Sequence, residues 1–385
     1  MEKIPMDHFL THRERRGTGS LKWDLPDMSG VLPMWVADMD FKVPDCVTKA
    51  LHKEVEFGVF GYSLPRPQVV QSIISWCKNR YGWEIQPDWL VFVPGLETAL
   101  ALCSDSVGEK GDHVVCLDPI YPPFYAGPRR MERVSQRIPL LNKDDHWEVD
   151  WPSLEEALAH PSCSLLLFCH PHNPTGKVFT EDELIKILSL CQQNGVPIVS
   201  DEVHCDLILN DRSHTPLATL NNEIGAKIMT LMAPNKTFNI AGLGGGYAIC
   251  PDRKWRQSLE ISMKGVSPHP SAMAHQACLA AYQDGEPWRQ ELLNVLNQNL
   301  NQLKSFVKDH SDHLEMIPPE ATYLAWIDAS KTGLQDPSKH FKAHGVGLSP
   351  GKIFGSPSHI RLNFACPPSI LDEGLKRLDK SLSSL

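Results

Sequence analysis

Four short apolar runs in the middle of the chain constrain its fold more than any other feature: HVVCLD from His113, SLLLFCH from Ser164, VPIVSDEVH from Val196 and KIMTLMA from Lys227. A helical stretch near Glu181 to Gln193 separates the middle two, so strands alternate with helices. That alternation implies an α/β fold with a mostly parallel sheet and helices on both faces, since a parallel pair needs a crossover that also covers the sheet. Another short strand is expected at Leu90 to Val93, preceded by helices from Pro44 to Phe57 and from Pro67 to Tyr81. No repeat of fixed period or low-complexity segment interrupts the pattern.

The polar residues of interest stand just beyond such runs. Tyr121 lies in IYPPFY, Asn173 in HPHNPTGK, Asp201 in VSDEVH, and Lys236 between the apolar Ile228 to Met232 and the glycine-rich Asn239 to Gly246. An open α/β sheet gathers its strand ends into one crevice. In PGLETALALCSD a turn opens a helix, and the free N–H groups of Gly95, Leu96 and Glu97 suit a phosphate as well as a plain strand-to-helix junction. Together Tyr121, Asn173, Asp201 and Lys236 are the parts needed to hold pyridoxal 5′-phosphate. A lysine amine forms a Schiff base with the aldehyde, and a buried carboxylate keeps the pyridine nitrogen protonated. An amide donates to the phenolic oxygen, and a tyrosine lies flat on the ring.

A chain of 385 residues is long enough for a large domain and a smaller companion. Residues 1–45 read as an arm over the cleft, 46–265 as the large domain and 266–385 as a smaller α+β domain, with Pro268, His269 and Pro270 as the linker. The last section has long helices, Ser271 to Asp284 and Trp288 to His310, then strands in TYLAWID and HIRLNFA; SPGKIFGS and Arg361 return it to the cleft. The arm is expected to pack with this small domain, and its apolar Trp35, Ala37 and Asp38 segment to wall the cleft. Tyr62 sits on the Gly- and Pro-flanked loop GVFGYSLP.

Composition removes other classes of function. A net charge of -9 with a pI near 6.0 argues against a nucleic-acid or anionic-membrane surface, and Arg129, Arg130 and Arg133 read as a solvated face. No apolar run approaches bilayer length. Eleven cysteines show no CxxC or Cys/His spacing, so no metal site is expected. Without an apolar signal segment after Met1, the expectation is a cytoplasmic protein with reduced, buried thiols.

These residues, with RRGTGSLKWD, LPMWVADMDF, GVFGYS, PIYPPF, NPTGKVF, SDEVHCDLIL, KTFNIAGL, PEATYLAWID and RLNFACP, span nearly the whole chain. They resemble fold-type I pyridoxal-phosphate enzymes of the aminotransferase class I/II superfamily. The closer resemblance, carried by WVADMDF, DEVH and ATYLAW, is to the MalY/PatB-type cystathionine β-lyase (C–S lyase) group. It implies that Lys236 is the Schiff-base lysine, Asp201 the pyridinium partner, Asn173 the phenolate partner and Tyr121 the stacking ring. It places Arg361 on the α-carboxylate of a small amino-acid substrate, with Trp35, Ala37 and Tyr62 beside that substrate and His204 near the cofactor. Tyr62 is also implied to reach the partner's phosphate in a homodimer with shared active sites. The sequence departs from the group around the phosphate: Asn235 stands where serine is usual, Ala233 lies two places earlier, and GLETAL replaces a more apolar turn. Glu97 is therefore expected to face away, leaving backbone N–H groups, Tyr62 and Asn235 to hold the phosphate. The implied reaction is α,β-elimination of a sulfur-containing amino acid to pyruvate, ammonia and a thiol. Transamination, a specialised biosynthetic reaction and a regulatory binding role stay open beside it.

Overall fold

The computed structural model describes residues 7–210 and 212–385, so residues 1–6 of the expected arm lie outside it. Its strands in chain order are β1 (Leu32–Pro33), β2 (Leu90–Val93), β3 (His113–Asp118), β4 (Val134–Lys143), β5 (His146–Val149), β6 (Cys163–Cys169), β7 (Ile198–Asp201), β8 (Ile228–Met232), β9 (Gly246–Ile249), β10 (Leu324–Asp328), β11 (Val346–Gly347), β12 (Ser349–Pro350) and β13 (His359–Asn363). One sheet takes the order β2-β9-β8-β7-β6-β3-β4-β5. Its middle, from β8 to β4, is parallel, and β9, β2 and β5 join antiparallel at the two sides. The four apolar runs supply β3, β6, β7 and β8, which are the centre of that parallel block.

Covered faces explain why those runs are continuous rather than alternating. On β6, Leu165 and Leu167 pack with the helices Leu96–Asp105 and Arg253–Met263, whereas Leu166 and Phe168 turn to the opposite face with Trp151–Ala159 and Glu181–Asn194. Successive residues of a strand point to opposite faces, so two buried faces require apolar side chains at both parities. Each fully buried leucine contributes about 1.5–3 kcal/mol. β4, β5 and β9 are not anticipated by the pattern of apolar runs. Ser135, Gln136 and Arg137 break the apolar pattern of the half-exposed β4, and β9 follows a glycine run that reads as turn.

One charged residue is placed differently from expectation. Arg133 is not on a solvated face: it is 7% exposed and donates to the carbonyls of Ser104, Val107 and Gly108. Its guanidinium thereby satisfies the C-terminal end of the Leu96–Asp105 helix, which suits a cation.

A smaller antiparallel sheet, β10-β13-β12, lies at the C-terminal side, with Arg361 of β13 between Trp326 and Ser349. β1 pairs in parallel with β11, Leu32 opposite Val346, and so ties the chain's first section to its last. The helix Glu286–Asp309 packs on Pro368–Leu382. Ala272–Asp284 packs instead on Asp45–Phe57 and Pro67–Tyr81.

Candidate active site

The carboxyl ends of β3, β6, β7 and β8 deliver Tyr121, Asn173, Asp201 and Lys236 to one edge of the sheet. The Tyr121 N–H donates to the Asn173 carbonyl at 3.2 Å, which joins two of these turns directly. From the smaller sheet Arg361 completes the group, its Nη1 donating to Asn173 Oδ1 at 2.9 Å. A parallel block therefore fixes four of the five side chains by register alone.

Burial sets the charge behaviour of this group. Asp201 is 5% exposed, and loss of water pushes its carboxyl up to about 7; the Val203 N–H, donating to Oδ1 at 3.1 Å, and the Lys236 charge act in the other direction. Lys236 moves down to about 8, chiefly by burial and then by the Arg361 charge, against the pull of Asp38 and Asp201. Its Nζ donates to the Ala37 carbonyl at 2.8 Å. Burial also lowers the Arg361 guanidinium to about 10. Its partners are Asn173, the Trp35 carbonyl at 3.2 Å and Ser349 Oγ at 3.3 Å, and its Nε is buried without an acceptor. No carboxylate of the described residues pairs with this enclosed cation, an arrangement that favours an incoming one.

Trp35 and Ala37 enter the site through their carbonyls, and sequence reasoning missed the residues that hold them there. Asn363 Nδ2 donates to the Val36 and Asp38 carbonyls at 2.5 and 2.6 Å. Asn239 closes on the same segment from the large sheet: Oδ1 accepts the Met39 N–H at 2.9 Å and Nδ2 donates to the Met39 and Phe41 carbonyls. Asn239 adopts φ 57°, a left-handed conformation that asparagine tolerates. Tyr323 Oη donates to the Ala37 carbonyl at 2.9 Å, beside the lysine amine on the same acceptor.

The remaining expected residues are placed as follows. Gly95 precedes the Leu96–Asp105 helix, whose first bond closes from the Ala99 N–H to the Gly95 carbonyl, leaving the Leu96 and Glu97 N–H groups ahead of it. Asn235 Oδ1 is buried without a partner. His204 is buried with its ring edge toward Tyr323, and burial with the nearby Lys236 and Arg361 charges lowers it to about 3, so it is a neutral imidazole. Glu97 is exposed at the start of that helix, and its charge, after burial, raises the Tyr121 phenol. Tyr62 is fully exposed on its loop, among exposed Val55, Phe57, Val59, Phe60 and Leu64.

The family model described as aminotransferase class I and II matches residues 30–378. Over 98% of its length the chain is 38% identical to cystathionine beta-lyase PatB of Bacillus subtilis strain 168, all of which is covered. The structure of OvoB superposes with a TM-score of 0.93 at 38% identity, covering 97% of this chain and 99% of that one. Cystalysin from Treponema denticola, a structure containing pyridoxal 5′-phosphate, gives 0.94 at 32% identity over 98% of both chains.

Proposed function

We propose, for a chain that belongs to the aminotransferase class I and II family, that it is a pyridoxal-5′-phosphate-dependent carbon–sulfur lyase acting by α,β-elimination on a sulfur-containing amino acid of the cystathionine or cysteine-conjugate type. The observation that carries this reading is the enclosed pair of Lys236, lowered to about 8, and the buried Arg361 with no carboxylate partner. A poised amine and an unmatched guanidinium in one site suit a substrate that brings an α-proton and an α-carboxylate together.

The residues present fit the cofactor. The helix N-terminus at Leu96 and Glu97 suits a phosphate, and the buried Asp201 carboxylate accepts only the Val203 N–H among the described residues, which leaves it room for a cationic partner. Asp201 would hold the pyridine nitrogen, Asn173 the phenolic oxygen and Tyr121 one ring face. When bound, pyridoxal 5′-phosphate supplies an aldehyde carbon and an electron-accepting ring.

Around it, this chain's own groups do the following. Arg361 clasps the α-carboxylate with its planar fork, which orients the substrate Cα–H bond. Lys236, as the free amine, removes that proton, and Ala37 O keeps Nζ pointed into the site. Asp201, ionised, keeps the proton on the ring nitrogen. The Cβ–S bond breaks, the thiol departs, and the remaining aminoacrylate hydrolyses to pyruvate and ammonia. The carbonyl wall at Trp35 and Ala37, fixed by Asn363 and Asn239, closes the substrate side.

The exposed apolar loop from Val55 to Leu64 supports a homodimer, in which the partner subunit's Tyr62 would complete the phosphate site. Eleven cysteines without a disulfide support a reducing cytoplasm, and no described helix is long and apolar enough to cross a membrane. The acidic balance supports small-molecule chemistry without nucleic-acid or membrane partners. The test is to incubate the holoprotein with cystathionine, cysteine conjugates and amino-acid/keto-acid pairs. Pyruvate and thiol in equal amounts are expected; a new amino acid without thiol would establish transamination instead.

A further inference from the structure

Tyr323 differs from the other residues that hold the 35–38 segment, because its hydroxyl shares an acceptor with a reacting group. Its Oη donates to the Ala37 carbonyl at 2.9 Å, and Lys236 Nζ donates to the same oxygen at 2.8 Å. A carbonyl oxygen has two lone pairs, so these two donors fill it. Tyr323 is 1% exposed, and its hydroxyl has no other hydrogen-bond partner among the described residues. Burial pushes the phenol up, which keeps it a neutral donor at any pH where the lysine titrates.

The backbone just before this phenol is strained. Thr322 has φ 73°, a left-handed conformation in which a β-branched residue is an outlier. It is fully buried, its N–H donates to the Leu207 carbonyl at 2.8 Å, and its Oγ1 accepts the Leu324 N–H at 3.1 Å. Leu324 then begins β10 in regular pairing opposite Asn363. Strain of this kind persists only where the surroundings over-determine it, and it gathers at functional sites. Here it lies directly before the one phenol that reaches Ala37 O.

The charges that act on Lys236 are Arg361, which disfavours its ammonium, and Asp38, Asp201 and Glu97, which favour it; His204, beside Tyr323, is neutral. Among the described residues only Tyr323 and Lys236 donate to Ala37 O. A hydrogen bond to the charged form of a group favours that form, so an acceptor given wholly to Nζ would favour the ammonium. A second donor draws on the same oxygen and brings the positive end of its O–H dipole toward Nζ. Both effects favour the free amine.

We propose that Tyr323 is a positioning residue for Lys236: its hydroxyl weakens Ala37 O as an acceptor for the ammonium, and it holds that carbonyl in place when the amine leaves to link to the cofactor. The amine released by substrate then returns to an acceptor that has not moved. This part of the role rests on the reaction proposed above; the effect on the amine does not.

Tyr323→Phe keeps the ring and removes only the donor. Uptake of pyridoxal 5′-phosphate by the full-length apoprotein, followed by stopped-flow absorbance against pH, reads the Lys236 amine without any substrate. The cofactor's own titrations are common to parent and variant. In Tyr323→Phe the midpoint should move to higher pH by about 0.5 or more, since Ala37 O then turns wholly to the ammonium. With substrate, kcat should fall several-fold while KM stays near the parent value, because Arg361 and its partners are untouched. Asn363→Ala serves as the comparison: it loosens the same segment yet leaves both donors on Ala37 O, and its midpoint should move less. A midpoint that is unmoved or lowered in Tyr323→Phe would overturn the proposal, and so would a shift no larger than that of Asn363→Ala. Failure of the lyase reading would look different, with no thiol released and the shift in midpoint intact.

Discussion

The floor and the roof of the site are built by opposite means. The floor consists of side chains at the ends of parallel strands: Asp201 ends β7, Asn173 and Lys236 follow β6 and β8, and the sheet register brings these ends together. The roof consists of backbone carbonyls from Trp35, Val36, Ala37 and Asp38, held from Arg361, Asn363, Tyr323 and Lys236, all of them distant in sequence. The floor acts through the chemical identity of its residues. The roof acts through position, so its own side chains can change while its donors cannot.

That contrast ranks the expected effects of substitution. Lys236→Ala removes the amine proposed to take the proton, and kcat should fall at least about a thousandfold, within the range for a lost general base. The variant should also lose the visible absorption of the lysine-linked cofactor. Asp201→Asn should retain some cofactor yet slow proton removal about 100-fold or more, since a lost electrostatic stabiliser of this kind is worth about 3 kcal/mol. A loss below about tenfold would mean that the floor does not work through the charge of Asp201.

Arg361 belongs to both halves, as it touches Asn173 below and the Trp35 carbonyl above. Arg361→Ala should lower kcat/KM for a cystathionine-like substrate by about 100-fold, the scale of a lost charged hydrogen-bond pair. Activity on a decarboxylated analogue should hardly change. If the variant still favours the parent substrate over that analogue as strongly as before, another group reads the carboxylate.

Roof variants should be milder in chemistry and visible in stability. Asn363→Ala leaves the Val36 and Asp38 carbonyls without their donor, and should cost about 1–3 kcal/mol in denaturant unfolding with a several-fold loss of kcat. A roof variant that lost as much rate as Asp201→Asn would erase the distinction. The smallest effect concerns pH. Only the uncharged amine attacks an aldehyde, and burial brings Lys236 down to about 8, so cofactor uptake by the apoprotein should accelerate as pH rises through that value and then level off. Stopped-flow absorbance would record it.

The same contrast explains what the sequence could show. Lys236, Asp201 and Asn173 were legible because each ends an apolar run, and strand ends of a parallel sheet must meet. Arg361 was legible through family resemblance, since an arginine within HIRLNFA carries no local signal of its own. Asn239, Asn363, Ser349 and Tyr323 were not legible. Each binds a carbonyl or a side chain brought close only by the fold, and an asparagine in FNIAG or RLNFA looks like any turn or strand polar residue. β9 escaped because its four residues, the first of them the last of three glycines, offer too short a pattern to separate strand from loop.

The central claim is that the β8 end delivers the one amine that links to the cofactor. Borohydride reduction of the holoprotein followed by proteolysis and mass mapping of the labelled peptide tests it most directly. The cofactor mass should be found on Lys236 and nowhere else, with no label fixed in Lys236→Ala. A reduced cofactor on another lysine in the parent protein would contradict the assignment of the floor, and with it the reaction proposed for this chain.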